Sequence, residues 1–151
     1  SYTHGAHGLV VEFKDFTDVV ISHLLSRASV PLESLTTINA VPEGSIPAEE
    51  AAPLSIALWE LVANALQHAF ERNRPSNFIK VDLRNTSGPD RNYRELVVSD
   101  DGKGLSDDIS ANAQASGVAT LNRVATHCGG YFTLRSGPGT TAIFSVPTSD
   151  T

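Results

Sequence analysis

Three polar side chains, Glu60, Asn64 and His68, recur every four residues along a stretch rich in Leu, Val and Ala. On a helix each step of four overshoots a full turn by roughly 40°, so they form one slowly drifting ladder. An amide oxygen one turn from a carboxylate has chemistry available to it. The oxygen can ligate a hard cation such as Mg²⁺, and the carboxylate can orient or deprotonate a nucleophile beside it. The competing reading is a solvated helix face. Against that stand the absence of Lys and Arg from Ala51 to Glu71 and the poor fit of Asn to a helix interior.

Three further stretches carry a chemical reading beside a plain one. In Val97-Val98-Ser99-Asp100-Asp101-Gly102-Lys103-Gly104 a hydrophobic strand runs into an acidic, glycine-spaced turn. There Asp100 can accept a hydrogen bond from an exocyclic amine such as that of adenine, and the glycines let a ring approach the backbone. Taken alone it is an ordinary strand-ending turn. The polar run Asn112–Ser116 enters a helix at Gly117, where unpaired N–H groups and a partial positive charge can receive phosphates, as at any helix start. Gly137-Pro138-Gly139-Thr140-Thr141 reads by itself as a hairpin turn.

The elements that must hold these residues follow from periodicity. Phe16, Val19, Val20, His23 and Leu24 have helical spacing, predicting a helix over Phe16–Arg27 with Asp15 and Asp18 as candidate caps. Leu35–Val41 reads as a short strand, and Pro42-Glu43-Gly44-Ser45 as a turn into a long helix from near Pro47 to Arg72. Leu54, Leu58, Leu61, Val62, Ala65 and Ala69 form the buried stripe of that helix. Strands are expected at Phe78–Leu83 and Glu95–Ser99, joined by a polar loop containing Gly88-Pro89. A third helix is expected over Gly117–His127, with Val118, Leu121, Val124 and Ala125 inward, and two last strands at Tyr131–Arg135 and Thr141–Val146. The order predicts an α+β fold, a mainly antiparallel sheet covered by helices on one face.

Composition sets bounds. With 151 residues, the chain suits one domain burying roughly 68–70% of its unfolded surface. It is 40% hydrophobic and 19% charged, far from the disordered class. A net charge of −6 without basic runs argues against a nucleic-acid surface, while one Mg²⁺-bound nucleotide stays compatible. No apolar run approaches the ~20 residues of a membrane span, so no membrane contact is expected. A single cysteine, Cys128, excludes an internal disulfide, fits a reducing compartment and reads as a small buried hydrophobe. The absence of Met marks a fragment or processed chain. Ser1–His7 reads as vector-derived, and residues 1–9 as a tail or cloning remnant ahead of the domain at 10–151.

Together the boxes resemble a known family. Glu60-Leu61-Val62-Ala63-Asn64-Ala65-Leu66-Gln67-His68-Ala69-Phe70 is similar to the N-box of the GHKL ATPase superfamily, in the version found in bacterial sensor histidine kinases. Asp100-Asp101-Gly102-Lys103-Gly104 resembles its first glycine box, and Gly137 through Pro147 the strand pair that closes its ATP-binding domain. The His-Ala-Phe ending, with Pro53-Leu54 ahead, is most similar to kinases with a short nucleotide lid. The likeness covers about Val30 to Pro147. It implies a Bergerat-type two-layer α/β sandwich and the cofactors ATP and Mg²⁺. It also implies transfer of the γ-phosphate to a histidine on a separate phosphoacceptor and dimerisation domain of the same parent, with a response regulator downstream, in the bacterial cytoplasm.

Site roles follow from the resemblance position by position. Asn64 matches the Mg²⁺-chelating asparagine and Glu60 the catalytic acidic position one turn before it. Asp100 matches the adenine-reading aspartate, with Gly102 and Gly104 shaping the pocket floor. Gly117 matches the helix-start glycine under the phosphates, Thr140 the threonine near adenine, and Gln67 and His68 positions near the phosphates. Ala115 and Ala119 depart from the second glycine box, and Gln67 replaces a frequent Lys, changes that weaken phosphate binding. No phosphoacceptor motif is present, so the chain alone is not expected to phosphorylate itself. An anti-sigma-type serine kinase, or a degenerate non-catalytic module acting in phosphotransfer or protein binding, remains the alternative.

Overall fold

The computed structural model describes residues 2–5, 8–28, 35–69, 78–101, 117–137 and 139–149. Two sheets and three helices are built from them. A small sheet consists of β1 (Tyr2–Gly5), β2 (Gly8–Glu12) and β4 (Ser45–Pro47), in the antiparallel order β1-β2-β4. The main sheet has the order β3-β5-β6-β8-β7, from β3 (Thr36–Asn39), β5 (Phe78–Ser87), β6 (Asn92–Asp100), β7 (Tyr131–Ser136) and β8 (Thr140–Pro147). Only the β3–β5 pair is parallel. The helices are α1 (Phe13–Ser26), α2 (Ala48–Ala69) and α3 (Gly117–Cys128). This is the expected α+β fold with a mostly antiparallel sheet.

Alternation decides which side of the sheet is wet. Ile79, Val81 and Leu83 on β5 and Leu96 and Val98 on β6 are buried in the core together with Phe144 and Val146 of β8. Lys80 and Arg84, on the opposite face of β5, are exposed. The core face receives α2, whose Leu54, Leu58, Leu61, Val62 and Ala65 are buried as expected, and α3, through Leu121 and Ala125. Helix α1 packs against α2 and β3. No helix among the described residues is long and apolar enough to cross a membrane.

Several expectations need correction. Residues 2–5 and 8–9 lie in β1 and β2, strands that periodicity did not announce, because β2 finds its partner in three-residue β4, more than thirty positions away. Helix α1 starts at Phe13, earlier than expected. Its N-cap is Glu12 without a side-chain cap bond, while Asp18 accepts a hydrogen bond from Asn39 Nδ2 at 2.7 Å. Val19 and His23, counted in the helical spacing, are exposed, and Phe13, Thr17 and Ile21 are buried. The β5–β6 hairpin runs to Ser87 and resumes at Asn92, because polar residues are satisfied across the strands. Arg84 Nε donates to Glu95 Oε1 at 2.9 Å, and Arg94 Nη1 to Asn85 Oδ1 at 3.1 Å. Gly88 N–H then closes the turn on the Arg91 carbonyl at 2.8 Å.

On the face away from the helices, Arg84, Glu95, Ser145 and Tyr131 form one cross-strand row. Burial raises the Glu95 carboxyl's affinity for a proton. Hydrogen bonds from Tyr131 and Arg84, the Arg84 charge and a bond from Ser145 outweigh it, so Glu95 sits below the ordinary carboxylate range. The phenol of Tyr131 donates to Glu95 Oε2 at 2.5 Å, and that bond holds its proton above the usual tyrosine range.

Candidate active site

Two contacts fix how the helices lie along the sheet. In the first turn of α2, Glu50 Oε1 accepts from Arg94 Nε at 2.5 Å, and its Oε2 accepts from Ser149 N–H at 2.8 Å and Ser149 Oγ at 2.7 Å. The start of α2 is therefore tied to the start of β6 and the stretch just past β8. From Glu50 to Asn64 the helix rises about 21 Å, and from Arg94 to Asp100 the strand advances about 20 Å. Helix and strand thus run comparable lengths from the tie.

The other contact is made by α3. Gly129, just beyond its last residue, faces the Pro147 ring and Arg91. Since β8 is antiparallel to β6, Pro147 lies at the Glu50–Arg94 end of the sheet. The head of α3, Gly117, meets α2. A Cβ at Gly117 would stand 2.5 Å from Glu60 Oε2 and 3.3 Å from Asn64 Nδ2. Glu60 and Asn64 are half-buried, and Gly117 is buried.

Asp100 ends β6, half-buried between Ile79 of β5 and Thr140, the first residue of β8. Two neighbours shape its surroundings. A Cβ at Gly139 would run into the Asp100 carbonyl and lie 2.9 Å from Asp101 Cα, so only glycine allows this approach. Asp101 Oδ1 accepts the Phe78 N–H at 3.1 Å and anchors the start of β5.

Of the candidates, Glu60, Asn64 and Gly117 meet at one point, and Asp100 and Thr140 are cross-strand partners. Gln67 is exposed near the end of α2. His68 lies in the last turn, its side chain outside the described residues, as are Gly102, Gly104, Ala115 and the lid expected over Ser106–Ser116. Ala119 sits half-buried in the first turn of α3. Gly139 was not singled out from sequence. Its signal was present in the Gly-Pro-Gly spacing, but its close contact with Asp100 depends on the β6–β8 pairing.

The donor set suits the groups that the resemblance implies. Glu60 carboxylate and Asn64 Oδ1 are hard oxygen donors, apt for Mg²⁺ rather than for a softer metal. Among the described residues no group of three or more His, Cys, Asp and Glu side chains forms a self-sufficient metal cage. A nucleotide-borne Mg²⁺, which brings phosphate oxygens of its own, needs no such cage.

Residues 49–150 match the Histidine kinase-, DNA gyrase B-, and HSP90-like ATPase family. The chain belongs to that family of ATPases. Among solved structures it is similar to the histidine kinase domain of a blue-light activated histidine kinase from Erythrobacter litoralis. The TM-score is 0.74 and the identity 20%, over 92% of this chain and 62% of that one. It also resembles the mycobacterial sensor histidine kinase MprB, with TM-score 0.65 and 16% identity over 99% of this chain and 100% of that one. The ATP binding domain of PrrB from Mycobacterium tuberculosis gives 0.62 and 19%, over 93% and 97%. These likenesses establish the fold. The chain spans less than two thirds of the Erythrobacter kinase domain it matches. No curated protein matches it.

Proposed function

We propose that the chain is the ATP-binding catalytic domain of a two-component sensor histidine kinase, and that it passes the γ-phosphate of ATP to a histidine on a separate phosphoacceptor domain. The observation that carries this reading is the meeting of Glu60, Asn64 and Gly117 at one point.

Phosphoryl transfer asks the protein mainly for positioning and charge compensation. Asp100 accepts a hydrogen bond from the adenine amine, and the bare Cα of Gly139 brings the β8 backbone close beside it. Thr140 flanks the base. Asn64 offers its amide oxygen to Mg²⁺, which when bound neutralises phosphate charge. The backbone N–H groups at the head of α3 receive phosphate oxygens, with Gln67 and His68 as further phosphate-contacting side chains. Glu60 stands next to this point, placed to orient the acceptor imidazole through its N–H. The incoming imidazole nitrogen then bonds to the γ-phosphorus as the bridging oxygen leaves with ADP.

Calorimetry with Mg-ATP tests the binding half of this reading, through Asp100→Asn and Asn64→Ala. Unchanged affinity in both would remove it. Labelled ATP, mixed with this chain and a histidine-bearing helical domain, tests the transfer half. The expected result is an acid-labile phosphohistidine on the acceptor and none on this chain alone; label on serine would assign the anti-sigma-type activity instead. A response regulator as the next acceptor, and a bacterial cytoplasmic setting, belong to the same proposal.

A further inference from the structure

Among the described residues, the nearest neighbours that a Cβ on Gly117 would meet are the Glu60 carboxylate and the Asn64 amide of α2. The missing side chain therefore faces the ladder on the neighbouring helix. We propose that Gly117 is a positioning residue for Glu60: its bare α-carbon forms the seat in which the Glu60 carboxylate rests against the head of α3. This rests on the reading of the site given above and adds to it, since there Gly117 served only the phosphates.

The physics of the seat is simple. A methyl at position 117 would stand 2.5 Å from Glu60 Oε2, closer than van der Waals contact permits, and 3.4 Å from Glu60 Cδ. Glu60 is attached to α2 by a flexible stem, so the carboxylate would swing away and neither backbone would need to move. With glycine, the carboxylate stays against the bare α-carbon at position 117. The seat also sets its height, next to Asn64 and one turn before it. The position of the carboxylate that meets the acceptor imidazole is thus set by α3, although its charge is carried by α2.

The experiment uses Gly117→Ala, Glu60→Gln and the double variant, with circular dichroism to verify folding. In transfer to a histidine-bearing domain at saturating Mg-ATP, Gly117→Ala is expected to lower the rate at least ~10-fold, a larger change than its loss of Mg-ATP affinity. In the Glu60→Gln background it should lower the rate by no more than ~2-fold, as a residue acting through Glu60 must. Independent, additive losses would overturn the proposal. So would a Gly117→Ala variant that loses nucleotide affinity but keeps its rate at saturation. A second readout needs no nucleotide: the amide resonances of Val118 and Ala119 should shift in Glu60→Gln and move the same way in Gly117→Ala. Unmoved resonances would overturn the seat even if ATP binds normally. Moved resonances in a chain that binds no ATP would uphold the seat and sink the kinase reading.

Discussion

Helix α2 carries Glu50 and Glu60, and the two have opposite surroundings. Glu50 is 3% exposed and holds Arg94 and both the N–H and hydroxyl of Ser149, so each carboxylate oxygen is committed to the fold. Glu60 is half-buried, one turn from Asn64 and against the head of another helix. One acid closes the molecule and the other faces the candidate site. Environment, not residue type, assigns the role.

The sharpest way to break this contrast is Glu50→Gln. Removing one charge of a buried pair leaves Arg94 uncompensated, at a cost of about 3 kcal/mol. For a chain of this size the melting temperature should fall by roughly 10 °C, while Mg-ATP affinity of the protein still folded is retained. An unchanged melting curve would show that the tie contributes nothing. In the candidate site, Asp100→Asn should weaken Mg-ATP binding about 100-fold, equivalent to roughly 2.7 kcal/mol, read by calorimetry alongside a melting curve that shifts little.

The row on the open face lies between these extremes. Tyr131→Phe removes a hydrogen bond to a charged, buried acceptor and should cost about 1.5 kcal/mol in denaturant unfolding. Because Glu95 has its carboxyl depressed in the folded state, its contribution is complete above the unfolded carboxylate range near ~4.3. It is lost as pH falls through the lower folded value. Tyr131→Phe should therefore flatten the acid limb of stability against pH; a limb of unchanged slope would separate the row from acid unfolding. The smallest effect on stability is expected at Glu60→Gln, under about 1 kcal/mol by the scale of helix-terminus charge effects, with its loss appearing in transfer rate instead.

How much of this was legible in the sequence depended on how local the cause was. Helix α2, the strand into Asp100 and the β7–β8 hairpin announce themselves through periodicity and turn residues within a few positions. The small sheet did not, because β4 has only three residues and its stability comes from pairing with β2. The length of the β5–β6 hairpin was hidden because Arg84, Asn85 and Arg94 look like loop residues until their cross-strand partners are known. In the site, Asn64, Glu60 and Asp100 were visible as types at meaningful spacing. The Gly117–Glu60 seat, the Gly139–Asp100 approach and the Glu50–Arg94 tie were not, for each joins positions from 39 to 57 residues apart by the sequence numbering.

Helix α2 runs without a break from the tie to the candidate site, and this makes angular phase a heritable property of the chain. One residue inserted between Glu50 and Glu60 would preserve every side chain downstream yet rotate the ladder by about 100° about the helix axis. Insertions or deletions here are thus penalised in a way that substitutions are not, and that spacing would be held constant while the apolar letters between drift.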